Sequence, residues 1–363
     1  MTTLHTTRSS KFAPAGPDLS PGSARVILPS MPCARLLACG LVLTPLACGS
    51  KTGLLLPQSD SQGSSTGMPP VVLPLDAGEE DALPPIDVAH APDVVSNFCP
   101  DAGATLVYVI TEQYDLMSFY PPTETFKTIG RIQCPAGPSV DGTPATPFSM
   151  AVDRDGIAYV VYNTGELFRV STATAACRST GFVAGQQGFS EGFGMGYSRD
   201  SNGPGETLYI ASDDPRNPDG GSSGPPRLGT IDTPSFRLRV VGFFRPALYG
   251  AELTGTGAGD LFAFYSLTAD GGSLMAIGQV DKTTGQLVGQ SVLPGIDRGC
   301  GWAFAFWGGD FYTFTAPGTC DRSGSPPGTV VHRFSPGDGR IVKVTQIGEE
   351  IVGAGVSTCA PQQ

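Results

Sequence analysis

The sequence predicts an all-β fold, a five-bladed β-propeller closed by its C-terminal strand and preceded by a disordered N-terminal leader and linker. Three observations lead to this prediction. The 363 residues include 49 Gly and 33 Pro, close to twice their usual joint share of about 12%, which breaks long helices and favours many turns. A short apolar strand with an aromatic residue near its start recurs five times. The last apolar segment supplies a strand that the first repeat lacks.

The recurring strands are aligned by aromatic residues at intervals of 51, 50, 53 and 50 residues: Tyr108, Tyr159, Tyr209, Phe262 and Tyr312. After each of them, two alternating strands surround a polar turn, which is typical of a β-hairpin. Another strand precedes four of them, and its fifth copy, residues 352–356, stands at the C-terminus. Each repeat therefore has four strands, a to d, and the C-terminal strand completes the first blade so that no edge stays open.

Three regions are predicted along the chain. Residues 1–47 form a leader and signal peptide, residues 48–98 a linker, and residues 99–363 the propeller. Residues 49–98 hold seven Pro and seven acidic residues against a single Lys. Such a composition cannot bury a core, so we expect an extended tether.

The apolar run at residues 36–47 is too short to span a bilayer and is typical of a signal-peptide h-region, with translation starting at Met31. The sequence around Cys48 resembles a bacterial lipobox, in which the Cys is lipidated, although Pro45 stands where Leu is usual. Cys39 matches this motif less well than Cys48 does. Secretion without a lipid anchor is the alternative. We expect export to the cell envelope and attachment to the outer membrane through the lipid.

Three segments carry a resemblance to known proteins: residues 150–161 (MAVDRDGIAYVV), 302–317 (WAFAFWGGDFYTFTAP) and 351–361 (IVGAGVSTCAP). They resemble an uncharacterised family of secreted bacterial lipoproteins with a β-propeller domain. The order of these elements, a strand, an Asp-Gly turn and a second strand, is also loosely similar to that in the NHL and strictosidine-synthase-like propellers. The resemblance covers residues 99–361 and implies the fold and secretion, but it carries over no activity.

Strand a is expected to line the central channel, and its alternate positions are small in every repeat but one. These positions are Ser149, Ala151, Gly194, Gly196, Gly250, Ala303, Ala305, Gly353 and Gly355, with Glu252 as the exception. A buried carboxylate must be hydrated, paired or bound to a cation, because burying it alone would cost several kcal/mol. A water or backbone partner is the simplest explanation for Glu252, and a functional role is the alternative.

The b–c and d–a loops share one face of a propeller, here called the upper face, and they are the longer loops of this chain. Long loops on a rigid scaffold commonly carry binding sites. The binding residues predicted there are Glu252, Trp302, Tyr249, Asp213, Asp214, Asp297 and Arg298, with Glu112, Asp115 and Glu191 as further rim acids. We expect a non-enzymatic binding or scaffold module for a protein or glycan ligand.

The alternative function is a calcium-dependent, lactonase-like hydrolase with Glu252 as candidate catalytic residue and calcium as cofactor; no cofactor is expected otherwise. His332 is the one His of the predicted propeller, which argues against a Ser-His-Asp triad and a His-based zinc site. A glycosidase would need facing carboxylates, and the inner strands offer one. The acidic balance, with net charge −11, argues against nucleic-acid partners.

Six Cys remain after the leader and Cys48, an even number that suggests disulfides in an exported protein. Cys300 begins strand a and Cys320 ends strand b of the fifth blade, so these two should bridge. Cys99 and Cys359 flank the ring closure and form the second predicted pair. Cys134 pairs with Cys177 by exclusion, although the strand directions place them at opposite ends of their blades. Metal ligation is the alternative, but no C-x-x-C spacing occurs.

Overall fold

The computed structural model describes residues 82–88, 105–189, 192–212, 225–268, 274–318, 320 and 328–363. All of them belong to one compact unit, Leu75–Gln363. The predicted lipidation site Cys48, the leader and most of the linker lie outside the described residues. Within the described part of the chain, no helix is long and apolar enough to cross a membrane.

The described residues form twenty strands and two short 3-10 turns. The strands are β1 Val107–Thr111, β2 Asp115–Tyr120, β3 Thr125–Arg131, β4 Pro147–Val152, β5 Ile157–Tyr162, β6 Leu167–Ser171, β7 Cys177–Ser179, β8 Phe193–Arg199, β9 Glu206–Ser212, β10 Arg227–Asp232, β11 Arg237–Phe243, β12 Tyr249–Gly255, β13 Leu261–Ser266, β14 Met275–Val280, β15 Leu287–Leu293, β16 Trp302–Trp307, β17 Asp310–Thr315, β18 Thr329–Ser335, β19 Arg340–Ile347 and β20 Ile351–Val356. The 3-10 turns are Pro121–Thr123 and Gln186–Gly188.

These strands form five antiparallel four-stranded sheets, which confirms the predicted five-bladed propeller. Blade 1 contains β20 and β1–β3, blade 2 β4–β7, blade 3 β8–β11, blade 4 β12–β15 and blade 5 β16–β19. The C-terminal strand pairs with β1 so that Val356 lies opposite Val107. The predicted closure of the ring by the last strand is therefore also confirmed.

Small residues let the inner strands pack closely, as the alternating pattern predicts. A Cβ added at Gly194 of β8 would collide with the carbonyl oxygen of Ala251 in β12. At Gly355 of β20, an added Cβ would lie 2.9 Å from the backbone nitrogen of Val152 in β4. Larger residues at these positions would therefore push neighbouring blades apart.

The hydrophobic core is divided into five clusters, one between each pair of neighbouring blades. The cluster between blades 4 and 5 is rich in aromatic rings, and its phenylalanines are Phe262, Phe264, Phe304, Phe306, Phe311 and Phe334. Because every blade buries one face against each neighbour, stability is distributed around the ring.

Residues 82–88, here called the strap, correct the prediction for the linker. Ile86 and Val88 are 5% and 3% exposed and belong to the cluster between blades 4 and 5. The backbone nitrogen of Gln290 in β15 donates to the carbonyl oxygen of Pro84 at 2.7 Å. Gly289 leaves room for this contact, since its added Cβ would lie 3.2 Å from the Cα of Ile86. The expectation that residues 49–98 bury nothing is therefore wrong for the strap.

The tail, residues 357–363, lies across the lower end of the ring, where the a–b turns are. Gly308 of blade 5 donates its backbone N–H to the carbonyl oxygen of Pro361 at 2.8 Å. The Thr358 hydroxyl donates to Glu206 Oε2 of blade 3 at 2.6 Å, and Arg154 of blade 2 forms an ion pair with the same carboxylate at 3.5 Å. The tail thus links several blades beneath the channel.

Two of the three predicted disulfides, Cys134–Cys177 and Cys300–Cys320, are confirmed. The expectation that strand directions separate Cys134 from Cys177 is wrong because it ignores the twist of each blade. The outer strand of blade 1 meets the c–d turn of blade 2, as an added Cβ at Gly130 would lie 3.3 Å from the Cβ of Ala175. Cys359 is disulfide-bonded, but its predicted partner Cys99 lies outside the described residues.

Candidate functional site

A cavity of about 160 Å³ opens at the upper end of the channel. We call it the axial cavity, because strands from blades 1, 2, 4 and 5 meet there. Its lining residues are Glu112, Thr146, Pro147, Phe148, Asn163, Glu252, Cys300, Gly301, Trp302, Glu350 and Val352. The cavity therefore combines carboxylates and an amide with aromatic rings.

Glu252 of β12 is 2% exposed and is held by a defined hydrogen-bond chain. The backbone N–H of Met195 donates to Ser149 Oγ at 3.2 Å, and Ser149 Oγ lies 2.6 Å from Glu252 Oε2. Since the hydroxyl oxygen already accepts from Met195, its own hydrogen is directed to the carboxylate. Glu252 is thus held as an acceptor by groups from blades 2 and 3, and the hydroxyl of Ser149 is one partner that the structure gives it.

A β-bulge at the start of β12 helps to direct Glu252. The pairing with β13 shifts register between Tyr249 and Glu252. Gly250 lies in this interval with φ of 59°, a conformation that favours Gly. A Cβ at Gly250 would also collide with Nη1 of Arg298. The bulge therefore re-aims the strand and leaves space for the neighbouring guanidinium.

Trp302 is held in place on three sides. Its indole Nε1–H donates to the carbonyl oxygen of Gly250 at 2.8 Å. Its ring packs edge-to-face on Phe148, with centroids 6.3 Å apart, and the guanidinium carbon of Arg298 lies 4.0 Å from the ring centroid. These contacts give the cavity a rigid aromatic wall.

Glu112 and Glu350 bring two further carboxylates to the cavity. Their segments are joined where the backbone N–H of Glu112 donates to the carbonyl oxygen of Glu350 at 2.9 Å. Glu350 is 6% exposed, and Gly301 makes room for it, since an added Cβ would lie 2.9 Å from Glu350 Cγ. Asn163 is oriented by the backbone N–H of Thr146, which donates to Asn163 Oδ1 at 3.1 Å.

The structure brings some of the predicted site residues together and leaves others apart. Glu252 and Trp302 line the axial cavity, and Arg298 stacks on Trp302. Asp297 accepts the backbone N–H of Gly299 at 3.1 Å within its own loop, and Tyr249 begins β12 without lining the cavity. Asp213, Asp214 and Glu191 lie outside the described residues.

The lining residues that the sequence interpretation missed include Phe148, Asn163 and Glu350. Phe148 stands beside the small residue Ser149 of strand a, and Glu350 stands one position before β20. Both residues lie at the upper end of a strand a, and this position becomes a signal only once the blades are arranged around the axis. Asn163 follows the upper end of strand b, where no pattern marked it.

The fit of the site to calcium can be judged from its carboxylates. Among the residues that the structure describes, no group of three or more His, Cys, Asp or Glu side chains is placed to hold a metal ion. Calcium takes six to eight oxygen ligands. The described residues therefore do not supply such a set from three clustered acidic side chains.

No protein-family model and no curated protein matches the chain. Similar solved structures include hydrazine synthase from Kuenenia stuttgartiensis, with 13% identity, a TM-score of 0.36, and coverage of 65% of this chain and 64% of that chain. Another is a protein of unknown function from Bacteroides caccae, with 14% identity, a TM-score of 0.37, and coverage of 68% and 84%. The chain thus spans less than two thirds of the hydrazine synthase chain. These similarities concern the fold alone.

Proposed function

We propose that this propeller is an exported, lipid-anchored binding module that holds a sugar residue of a glycan in the axial cavity without chemical conversion. The observation that carries the proposal is the fixed pair of Glu252 and Trp302 in one cavity. An aromatic wall offers an apolar face to a sugar ring, while carboxylate and amide oxygens accept hydrogen bonds from its hydroxyl groups.

The size of the axial cavity favours a glycan over a protein surface. About 160 Å³ admits one small ring or one side chain, but not an extended protein segment. The groups are held before any ligand arrives, because Ser149 orients Glu252 and Gly250 anchors Trp302. Preorganisation of this kind reduces the entropy cost of binding. A protein that inserts one side chain into the cavity is the other ligand class.

The proposed export and anchoring rest on the sequence of the leader and on the cysteines. An h-region and a lipobox-like Cys48 precede the propeller. The bridges Cys134–Cys177 and Cys300–Cys320 support an oxidising compartment such as the bacterial cell envelope. Radiolabelled palmitate should be incorporated by the full chain and lost in Cys48→Ser. Label that persists in Cys48→Ser would reject this anchor.

Intrinsic fluorescence can test the axial cavity, because the chain has two Trp residues at opposite ends of one strand. Trp302 borders the cavity, whereas Trp307 donates its indole N–H to Thr105 at 2.6 Å near the lower end. The variant Trp307→Phe leaves Trp302 as a single reporter, and Trp302→Phe is the matched control.

A glycan array should first identify a bound glycan, and its terminal monosaccharide should then be titrated. We expect saturable quenching or enhancement in Trp307→Phe, none in Trp302→Phe, and recovery of the sugar unchanged. Saturable signals of equal size in both variants would place binding elsewhere. Cleavage of the bound array glycan during incubation with the protein would replace the binding module with an enzyme, and an array without any bound glycan would reject the glycan proposal.

A further inference from the structure

A second cavity, of about 470 Å³, lies on the upper face between blades 1 and 2. We call it the flank cavity, and its lining residues include Tyr114, Arg131, Ile132, Ala136, Ala145 and Tyr162. Its volume falls within the range of about 300 to 1,000 Å³ that is typical of small-molecule sites, whereas the volume of the axial cavity falls below it. The flank cavity therefore has room for a larger group than the axial cavity admits.

The flank cavity adjoins the axial cavity across a thin wall. Ala145 and Tyr162 line the flank cavity, and the residues that follow them in sequence, Thr146 and Asn163, line the axial cavity. Two hydrogen bonds hold this wall together. The backbone N–H of Thr146 donates to Asn163 Oδ1 at 3.1 Å, and that of Asn163 donates to the carbonyl oxygen of Thr146 at 3.0 Å. An elongated ligand with one end in the axial cavity therefore extends toward the flank cavity.

The two cavities differ in the side chains that line them. The buried side chains of the flank cavity are Ile132, Ala145 and Tyr162, which are apolar except for the hydroxyl of Tyr162. Arg131 and Gln133 are exposed at its rim. Among the described residues that line the flank cavity, none is Asp or Glu, whereas carboxylates line the axial cavity. The flank cavity therefore suits a group with an apolar part and few polar atoms.

The hydroxyl of Tyr162 is not used by the fold. The side chain is 1% exposed, and no residue that the structure describes forms a hydrogen bond with its hydroxyl. Burial raises the pKa of this hydroxyl, with smaller contributions from Tyr114 and Glu166, so it keeps its proton at neutral pH. A buried donor without a partner is unfavourable. A hydrogen-bond acceptor that enters the flank cavity therefore gains by pairing with Tyr162.

Tyr114 gives the flank cavity a fixed aromatic side. Its hydroxyl donates to the carbonyl oxygen of Ala145 at 2.9 Å, and the guanidinium carbon of Arg131 lies 5.2 Å from its ring centroid. Its φ of 71° is uncommon for a residue other than Gly, and the backbone N–H of Ile132 donates to its carbonyl oxygen at 2.9 Å. These contacts hold the ring in place before a ligand arrives.

The N-acetyl group of a sugar matches this lining. Its methyl group suits the apolar side chains of Ile132 and Ala145, and its carbonyl oxygen accepts a hydrogen bond from Tyr162. The sugar ring that carries it offers an apolar face to Tyr114. An anionic group fits less well, because Asp115 lies opposite Arg131 in the pairing of β2 with β3 and offsets its charge.

We propose that the flank cavity binds the N-acetyl group of the second sugar of a glycan whose first sugar lies in the axial cavity. This inference rests on the proposed function, because it takes the position of the first sugar from it. Recognition is then divided between the two cavities. The axial cavity accepts hydrogen bonds from sugar hydroxyls, and the flank cavity donates one to the acyl group.

Two disaccharides provide a matched pair of probes. N-acetyllactosamine and lactose share the terminal galactose and the linkage, and they differ only where an N-acetylamino group replaces one hydroxyl of the second sugar. Isothermal titration calorimetry on the full chain should show about tenfold tighter binding of N-acetyllactosamine, because a methyl group is buried and a hydrogen bond is formed.

Tyr162→Phe removes the hydroxyl alone. It should weaken the binding of N-acetyllactosamine about fivefold and change that of lactose less than twofold. Ala136→Leu narrows the cavity from a loop and should reduce the preference for N-acetyllactosamine to less than twofold. Tyr120→Phe is the matched control, since Tyr120 is exposed at the lower end of blade 1, and it should change neither affinity.

Equal affinities of the wild type for the two disaccharides would overturn the proposal, as would a preference that Tyr162→Phe leaves unchanged or the absence of binding of N-acetyllactosamine. The proposed function fails separately, because Trp302 reports on the axial cavity in Trp307→Phe. Lactose that gives this signal without any gain for N-acetyllactosamine would reject the flank cavity and keep the axial site. N-acetyllactosamine that binds without the Trp302 signal would contradict both the proposed function and this inference.

Discussion

The two ends of the central channel have opposite chemistry. At the lower end, the tail lies across the a–b turns. The carboxylate of Glu206 accepts a hydrogen bond from Thr358 and forms an ion pair with Arg154. At the upper end, Glu112, Glu252 and Glu350 surround a cavity with an aromatic wall. The same inner strands reach both ends, so the ring itself does not determine the difference. It comes from the segments that flank those strands, which stabilise the fold at one end and form a candidate binding site at the other.

Removal of the tail should have the largest effect. Deleting residues 358–363 eliminates the disulfide of Cys359 and the hydrogen bonds to Glu206 and Gly308. We expect the free energy of unfolding to fall by at least about 4 kcal/mol, because a native disulfide alone typically contributes 2 to 5 kcal/mol. Urea denaturation measures this change. Deleting the exposed Gln363 alone is the control, and equal stability of both deletions would refute a structural role for the tail.

A change at the upper end should affect binding and spare stability. Glu252→Gln keeps the shape of the side chain and its acceptor for Ser149, but removes the charge. We expect the affinity for the sugar to fall about tenfold to a hundredfold, as for a lost hydrogen bond to a charged group, while unfolding changes by less than about 1 kcal/mol. The affinity is measured by titrating the sugar into Trp307→Phe and into the double variant that carries Trp307→Phe and Glu252→Gln. A large loss of stability with unchanged affinity would make Glu252 a structural residue.

The lower end should also show a pH effect through Asp153. Burial above all, together with the neighbouring charges of Glu206 and Asp155, raises the pKa of this carboxyl from 3.8 to about 6, although the backbone hydrogen bonds from Ile157 and Asp155 act in the opposite direction. Because the folded state holds the proton more tightly than the unfolded chain, the contribution is present at pH 4 and is lost as the pH rises through 6. We expect a loss of about 1 to 2 kcal/mol, allowing for partial solvent exposure.

Asp153→Asn should remove this dependence. An amide oxygen can still accept the backbone N–H groups of Asp155 and Ile157, which lie 3.0 and 2.8 Å from Oδ1. The variant should therefore match the wild type near pH 4 and exceed it at pH 7.5 by the same 1 to 2 kcal/mol, measured by chemical denaturation at each pH. Asp338→Asn on an exposed turn serves as control. A variant that is less stable than the wild type at pH 7.5 would contradict the assignment.

Calcium should have the smallest effect at either end. The described carboxylates include no group placed to hold a metal, so calcium or EDTA should move the melting temperature by less than about 1 °C. Differential scanning fluorimetry gives the answer. A rise of several degrees with calcium, abolished in Glu252→Gln, would favour the hydrolase alternative instead.

The fold was predictable because its signals are local. Alternating apolar strands, polar turns and the regular spacing of Tyr108, Tyr159 and Tyr209 are all properties of short sequence windows. The strap was missed because composition was averaged over residues 49–98, which hides the alternation of Ile86 and Val88. A sequence window as short as one strand would have shown that these two apolar residues occupy alternate positions.

The candidate site was predictable only in part, because it joins residues far apart in sequence. Glu252 could be identified since it interrupts a pattern of small residues. Glu350 and Phe148 could not, since their positions beside strand ends gain meaning only when blades 1 and 2 meet at the axis. The Cys134–Cys177 bridge could not be explained for the same reason. The twist that brings the outer strands together is lost when each blade is treated as an untwisted sheet.

The strap also determines how the molecule bears mechanical load. A pull on the N-terminal segment reaches the contacts of Ile86 and Val88 between blades 4 and 5 before it reaches β1. The seam where β20 closes the ring on β1 is therefore shielded from the direct line of force. Shear flow or the drag of a bound glycan would have to extract two buried side chains before it could begin to open the propeller.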